Sequence, residues 1–232
     1  PARSFAVAPD GTIYASMRDH VEVFDPSGQR QAIWAPPAPR AWLSSLAVGE
    51  KEVYATDATT RIVWRFDLSG KVIGKIGQKD SSRKITGFVV PSPFFDMKLG
   101  RDGLLRVANP GQHLVETYTT TGDLEFSWGK PGTAIESFCG CCNPISIALF
   151  SDGRVVTCEK GLPRVKVYSA RGQLEAVAAR PEDFENAAAP ANVDWSDHVT
   201  NGLDVAVDSR ERIYILYWAS AQVRVMTRKA NT

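Results

Sequence analysis

Three of the four cysteines in this 232-residue chain lie together in "FCGCCNP", as Cys139, Cys141 and Cys142, and the fourth is Cys158. Thiolates gathered at such density have three outlets. Four of them in tetrahedral reach suit zinc or an iron-sulfur cluster, both of which select sulfur ligands. Two can be joined as a disulfide, Cys158 with Cys139 or Cys142 for instance, because sequence neighbours such as Cys141 and Cys142 do not readily bridge each other. Left free and buried, they imply a reducing compartment. The C-x-C-C spacing matches neither the C-x-x-C of zinc ribbons nor a common ferredoxin run, so spacing alone does not choose among these outlets.

What positions these residues is a repeat that runs through the whole chain. The segments "FAVAPDGTIYAS", "LAVGEKEVYATD", "FDMKLGRDGLLRVAN", "ISIALFSDGRVVTCE" and "LDVAVDSRERIYILY" share one pattern: a short apolar run, a turn, and a β-branched run. Asp-Gly between apolar runs is a hairpin signal, and the alternation in "RVKVY" and "VRVM" has the period of a strand. A third run, a second turn at Gly28, Gly70, Gly122 or Gly172, and a fourth run such as "KVIGKIG" complete the unit. The spacing predicts an all-β chain of four-stranded antiparallel meanders at about 4–35, 44–77, 95–129, 145–179 and 203–229, forming one domain over 1–232.

Where the copies agree, they resemble NHL repeats, and "VYATDATTRIVWRFDLSGKVIGKIG" is the nearest match. The resemblance implies a β-propeller of six blades with an N-terminal part absent from this sequence, and a five-bladed ring is the alternative. "FCGCCNP" followed by "EKGLPRVKVY" also looks like a signature of a bacterial, exported group of NHL-repeat proteins, which implies a periplasmic or extracellular site of action. A fold of this kind specifies architecture far better than activity.

The repeat then gives addresses. Stepping back nine residues from the second-strand positions Ile13, Val53, Leu105, Val155 and Ile213 reaches Ser4, Ser44, Asp96, Ser146 and Asp204. These small or acidic residues start the inner strands, at one mouth of the channel. Their oxygens can hold Ca²⁺ or a polar ligand, or they can tie down neighbouring turns. "FCGCCNP" leads into the fourth inner strand at the same mouth, and the hairpin register sets Cys158 opposite Ser146. All four sulfurs are therefore expected in one small volume. Lys160 and Arg164 in the adjacent "EKGLPR" loop can offer positive charge to an anion or a partner.

Composition removes other functions. Twenty-seven Lys and Arg against twenty-six Asp and Glu leave a net charge of +1, which gives no field for nucleic acid. The apolar runs are far shorter than the roughly twenty residues of a membrane-spanning helix. The first residues lack a basic start and an apolar export segment, so any targeting sequence is expected to have been removed or never to have existed. No G-x-S-x-G, H-E-x-x-H or phosphate-cradling loop is present. The three histidines, His20, His113 and His198, form no zinc pattern.

The residues thus point to a non-catalytic propeller scaffold, a subunit docking protein partners, with a cysteine-bearing mouth. A metal-dependent, lactonase-like hydrolase or lyase using Asp96 and Asp204 is the rival, and an electron carrier with a sulfur-ligated cluster is the third reading.

Overall fold

The structure, a computed structural model, describes residues 1–184 and 202–228. Nineteen strands form five consecutive antiparallel sheets. The first blade holds β1 (Ser4–Val7), β2 (Ile13–Ser16), β3 (Val21–Phe24) and β4 (Arg30–Trp34), and the second holds β5 (Leu43–Val48), β6 (Glu52–Asp57), β7 (Ile62–Asp67) and β8 (Val72–Ile76). The third comprises β9 (Met97–Leu99), β10 (Leu105–Asn109), β11 (Leu114–Tyr118) and β12 (Leu124–Trp128). The fourth comprises β13 (Ser146–Leu149), β14 (Val155–Glu159), β15 (Arg164–Tyr168) and β16 (Leu174–Ala179). The fifth has three strands, β17 (Leu203–Val207), β18 (Ile213–Tyr217) and β19 (Gln222–Met226). Each sheet is a meander, and the described residues make the five-bladed alternative; the sixth blade implied by the repeat resemblance is not among them.

Local chemistry explains the regularity. The first hairpin turns carry Asp10, Asp102 and Asp152, whose carboxylates accept the backbone N–H two residues on, as in Asp10 from Thr12 at 2.9 Å. The glycines that follow adopt positive φ, which a side chain resists. The second turns use Asp25 and Asp67 in the same way, each accepting the N–H groups two and four residues on. In all four complete blades the register slips by one residue in the pairing of the third and fourth strands, at Val23/Phe24, Arg65/Phe66, Thr117/Tyr118 and Val167/Tyr168. Such a bulge adds twist, which lets the flat sheets become blades.

The core lies between blades. Tyr14, Val21 and Trp34 of the first meet Leu46, Trp64 and Phe66 of the second, and three further clusters repeat this at each successive interface. The closest fits involve a fourth-strand tryptophan and the second-turn glycine of the following blade. A Cβ at Gly70 would fall 2.3 Å from the Trp34 ring, and one at Gly172 would fall 2.4 Å from the Trp128 ring.

The outermost faces differ. Phe5 is 71% exposed and Ile33 57%, and they lie on one row across the first blade, with Ala15 and Glu22 between them. On the fifth blade Val223 and Val225 are 60% and 49% exposed, beside Leu216 and Tyr214. The inward faces of both sheets pack normally, so these rows are the sides turned away from the neighbouring blade.

Gly70→Ala and Gly172→Ala are expected to destabilise the protein more than Gly28→Ala. All three glycines have positive φ, which costs another residue about 1–2 kcal/mol. Only the first two add overlap with a buried tryptophan, worth about 1–3 kcal/mol more, whereas nothing lies within 4 Å of a Cβ at Gly28. Equal losses in urea unfolding at all three sites would disprove the packing contribution.

Candidate functional site

The inner strands are laced together by side chains at one mouth of the channel. Asp96, at the start of the third inner strand, is the centre of this lacing. Its Oδ1 accepts from Ser45 Oγ at 2.6 Å, from the Met97 N–H at 2.8 Å and from Lys98 Nζ at 2.6 Å. Its Oδ2 accepts from the Ile147 N–H at 2.8 Å, so one carboxylate joins the second, third and fourth blades. Ser146 Oγ lies 2.6 Å from Asp204 Oδ1 and 3.1 Å from Asp96 Oδ2, and its single proton goes to the nearer, linking the fourth blade to the fifth. At the other end Ser4 Oγ accepts the Leu46 N–H at 3.3 Å, linking the first blade to the second. Ser44 donates to the Phe95 carbonyl at 2.8 Å, as does Thr56 at 2.7 Å.

Burial pushes the Asp96 carboxyl up, but the Lys98 charge and the bonds from Ile147, Lys98 and Ser45 outweigh it and hold it below its ordinary value. Ser4, Ser44, Asp96, Ser146 and Asp204 all line one cavity of about 390 Å³. Phe5, Trp42, Phe94 and Trp218 supply its aromatic wall, and Arg3 and Lys98 its positive charge. Among the described residues no three His, Cys, Asp or Glu side chains gather at metal-ligand spacing. Asp96 in particular spends both oxygens on protein donors.

The cysteines do not share one volume. Cys158 pairs with Ser146 as the hairpin register predicts, but its side chain is buried among Ile145, Val156, Val165 and Leu203 between the fourth and fifth blades. Burial drives its thiol well above the ordinary range, and the charges of Asp204, Asp96 and Glu159 add to the effect. Cys141 and Cys142 lie elsewhere, with sulfurs 3.3 Å apart, the first exposed and the second buried. No four-sulfur gathering of the kind that zinc or a cluster needs is formed, and no disulfide joins any two of the four. The expectation fails because the pairing turns Cys158 toward the fifth blade, while the incoming loop lies against the third, where the Asn143 N–H donates to the Pro110 carbonyl.

The loop that carries the cysteines is fixed by a buried ion cluster. Glu159 Oε2 accepts from the Cys139 N–H at 2.8 Å and from Arg164 at 2.6 Å, and Oε1 lies 2.8 Å from Lys166 Nζ. Arg164 and Lys166 also donate to the Ser137 carbonyl, and Lys166 sits 4.7 Å from the Phe138 ring centre. Arg164 is thus committed to Glu159 and only 3% exposed, so it offers no charge to an external anion. Lys160 differs, as its ammonium lies over the Phe94 ring and donates to Ser92 Oγ at 3.2 Å. Asp57 and Asn109 occupy the place of Glu159 in their blades and likewise accept the N–H of the incoming loop, from Trp42 and Val89.

Ser45, Lys98, Lys166 and Ser92 contribute to these arrangements without having been singled out in the sequence. Alternation signals Lys166, a charge inside "RVKVY"; nothing local marks Ser92. His113 Nε2–H donates to the Gly140 carbonyl at 2.7 Å, His20 lies against Asp19 and Glu22, and His198 is outside the described residues.

No family model and no curated protein matches this chain. Solved structures do. A catalytically inactive virginiamycin B lyase from Staphylococcus aureus with quinupristin is 14% identical, with 98% of this chain and 66% of that one covered at a TM-score of 0.66. The fold is a β-propeller. Kuenenia stuttgartiensis hydrazine synthase matches at 16% identity, 97% and 76% coverage and a TM-score of 0.62. Myxococcus xanthus glutaminyl cyclase matches at 12% identity, 98% and 91% coverage and a TM-score of 0.59. The chain spans about two thirds of the lyase length, and at these identities the likeness carries fold alone. No helix among the described residues is long and apolar enough to cross a membrane.

Two outcomes follow from the buried charges. Glu159→Gln leaves Arg164 and Lys166 without a counter-charge and is expected to cost about 3–5 kcal/mol in urea unfolding; a loss within experimental error would show that the cluster is dispensable. Because the folded Asp96 carboxyl is held low, its stabilisation is complete above its unfolded pKa of about 3.9 and drains as the pH falls through the lower folded value. Asp96→Asn should flatten that acid limb of the stability profile, and an unchanged slope would remove Asp96 as its source.

Proposed function

We propose that the chain is a non-catalytic interaction module, an NHL-type propeller of the exported kind that serves as a subunit of a larger extracytoplasmic assembly. The observation that carries this reading is the pair of exposed apolar rows on the first and fifth blades, Phe5 with Ile33 and Val223 with Val225. On the fifth blade Val223, Val225 and Leu216 adjoin as exposed apolar surface on a rigid sheet, which marks a place where another protein packs, while Phe5 and Ile33 stand at the two edges of the first blade with Glu22 between them. The lacing of the mouth supports the same reading, since both oxygens of Asp96 hold blades together and that carboxylate is not free for acid-base work.

One observation favours a catalytic reading. Asp204 and Ser146 share a 2.6 Å hydrogen bond on the wall of a cavity with aromatic sides, and propellers of similar fold bear the names of a lyase and a cyclase. A carboxylate beside a hydroxyl in such a cavity is an arrangement that acid-base chemistry uses.

The two readings separate in a single set of variants. The double variant Phe5→Asp, Val223→Asp should lose the subunits that co-purify with the wild-type protein from its native source, while Asp204→Asn keeps them. Retention of every subunit by the double variant, with a lyase or lactonase turnover that Asp204→Asn abolishes, would replace the docking reading with the enzymatic one.

A further inference from the structure

The Cys141–Cys142 pair has features that the lacing, the ion cluster and the docking faces do not use. The two sulfurs lie 3.3 Å apart, one exposed and one buried. Ser92 Oγ donates to Cys142 Sγ at 3.5 Å and itself accepts from Lys160 Nζ at 3.2 Å. Asn143 fixes the geometry by donating to the carbonyls of Cys139 and Lys160 and accepting the Lys160 N–H at 2.9 Å. The dithiol and its ammonium are therefore held by one side chain, although Cys142 and Lys160 are far apart in sequence.

We propose that Cys141 and Cys142 form a redox-active vicinal dithiol that exchanges with small disulfides. The charge at the site selects this chemistry over metal binding, since an ammonium beside a thiol favours the thiolate and opposes a cation. Burial raises the Cys142 thiol, but Ser92, Lys160 and Cys141 more than offset it and bring it below the ordinary value. The exposed Cys141 meets the incoming disulfide. The Cys141 thiol, held above its ordinary value by the Cys142 sulfur beside it, passes its proton to Cys142 as it attacks one sulfur of R–S–S–R; a mixed disulfide forms, and the expelled RS⁻ takes that proton from Cys142 and leaves as RSH. The Cys142 thiolate then attacks Cys141 Sγ, breaks the mixed bond and expels the second RS⁻. Two electrons pass from the pair to the incoming disulfide, and of the two RSH formed one carries the proton of the pair and the other a proton from solvent.

The adjacency that disfavours a structural bridge suits a reversible one. Neighbouring Cα atoms are about 3.8 Å apart, below the about 4.4 Å of an ordinary bridge, and a strained bridge is easily reduced. Cys158, buried with a raised thiol, takes no part.

The inference goes beyond the docking role and does not rest on it. Its test uses reduced full-length protein, glutathione disulfide as probe, and peptide mass spectrometry. Wild-type protein should lose two hydrogens in the peptide holding Cys141 and Cys142, without a lasting adduct, and dithiothreitol should restore them. Cys142→Ser should stop at a stable glutathione adduct on Cys141. Lys160→Met should slow the wild-type reaction by roughly threefold to tenfold through the smaller thiolate fraction. Unreacted thiols at 141 and 142, a bridge to Cys139 or Cys158, or lasting adducts on wild-type protein would each overturn the proposal. The wild-type mapping decides the matter even where a variant folds poorly.

Discussion

The Asp96 carboxylate is the constraint on which this molecule most depends. A propeller's blades meet through apolar faces that tolerate sliding, and such faces alone do not fix the radial position of each sheet. Asp96 fixes it for three blades at once, through Ser45, its own strand and Ile147. Ser4 and Asp204 extend the lacing to the outer two blades. Lys98 makes the arrangement affordable by neutralising a charge that burial would otherwise expel.

A second, independent device sits at the blade edge. Asp57, Asn109 and Glu159 end the second strands of consecutive blades and each receives the N–H of the loop arriving from the blade before. The carboxylate or amide thus replaces a lost strand partner for a backbone group in a buried loop. In the fourth blade this role has been elaborated into a three-member ion cluster, and that elaboration coincides with the loop that carries the cysteines.

Much of this was legible in the sequence. The strand repeat was visible because Asp-Gly turns and alternating runs are local properties, and the inner-strand starts Ser4, Ser44, Asp96, Ser146 and Asp204 followed from counting back along it; they line one cavity. What counting could not supply was the partner of each side chain. Arg164 read as a surface charge because its neighbours are loop residues, yet Glu159 buries it. Cys158 read as a companion to Cys142 because strand register brings their backbones close, yet the pleat sends its sulfur into the interface between blades.

The division of the core into interfaces between successive blades gives the protein a graded interior. Blades two, three and four are each buried on both faces, whereas the first and fifth are buried on one. In architectures where units touch only their neighbours, each unit's stability is the sum of its own and its adjoining interfaces. Amide hydrogens in β1 and β19 therefore exchange through local openings of lower free energy than those in β10, and the ring frays from its two open sides toward Asp96.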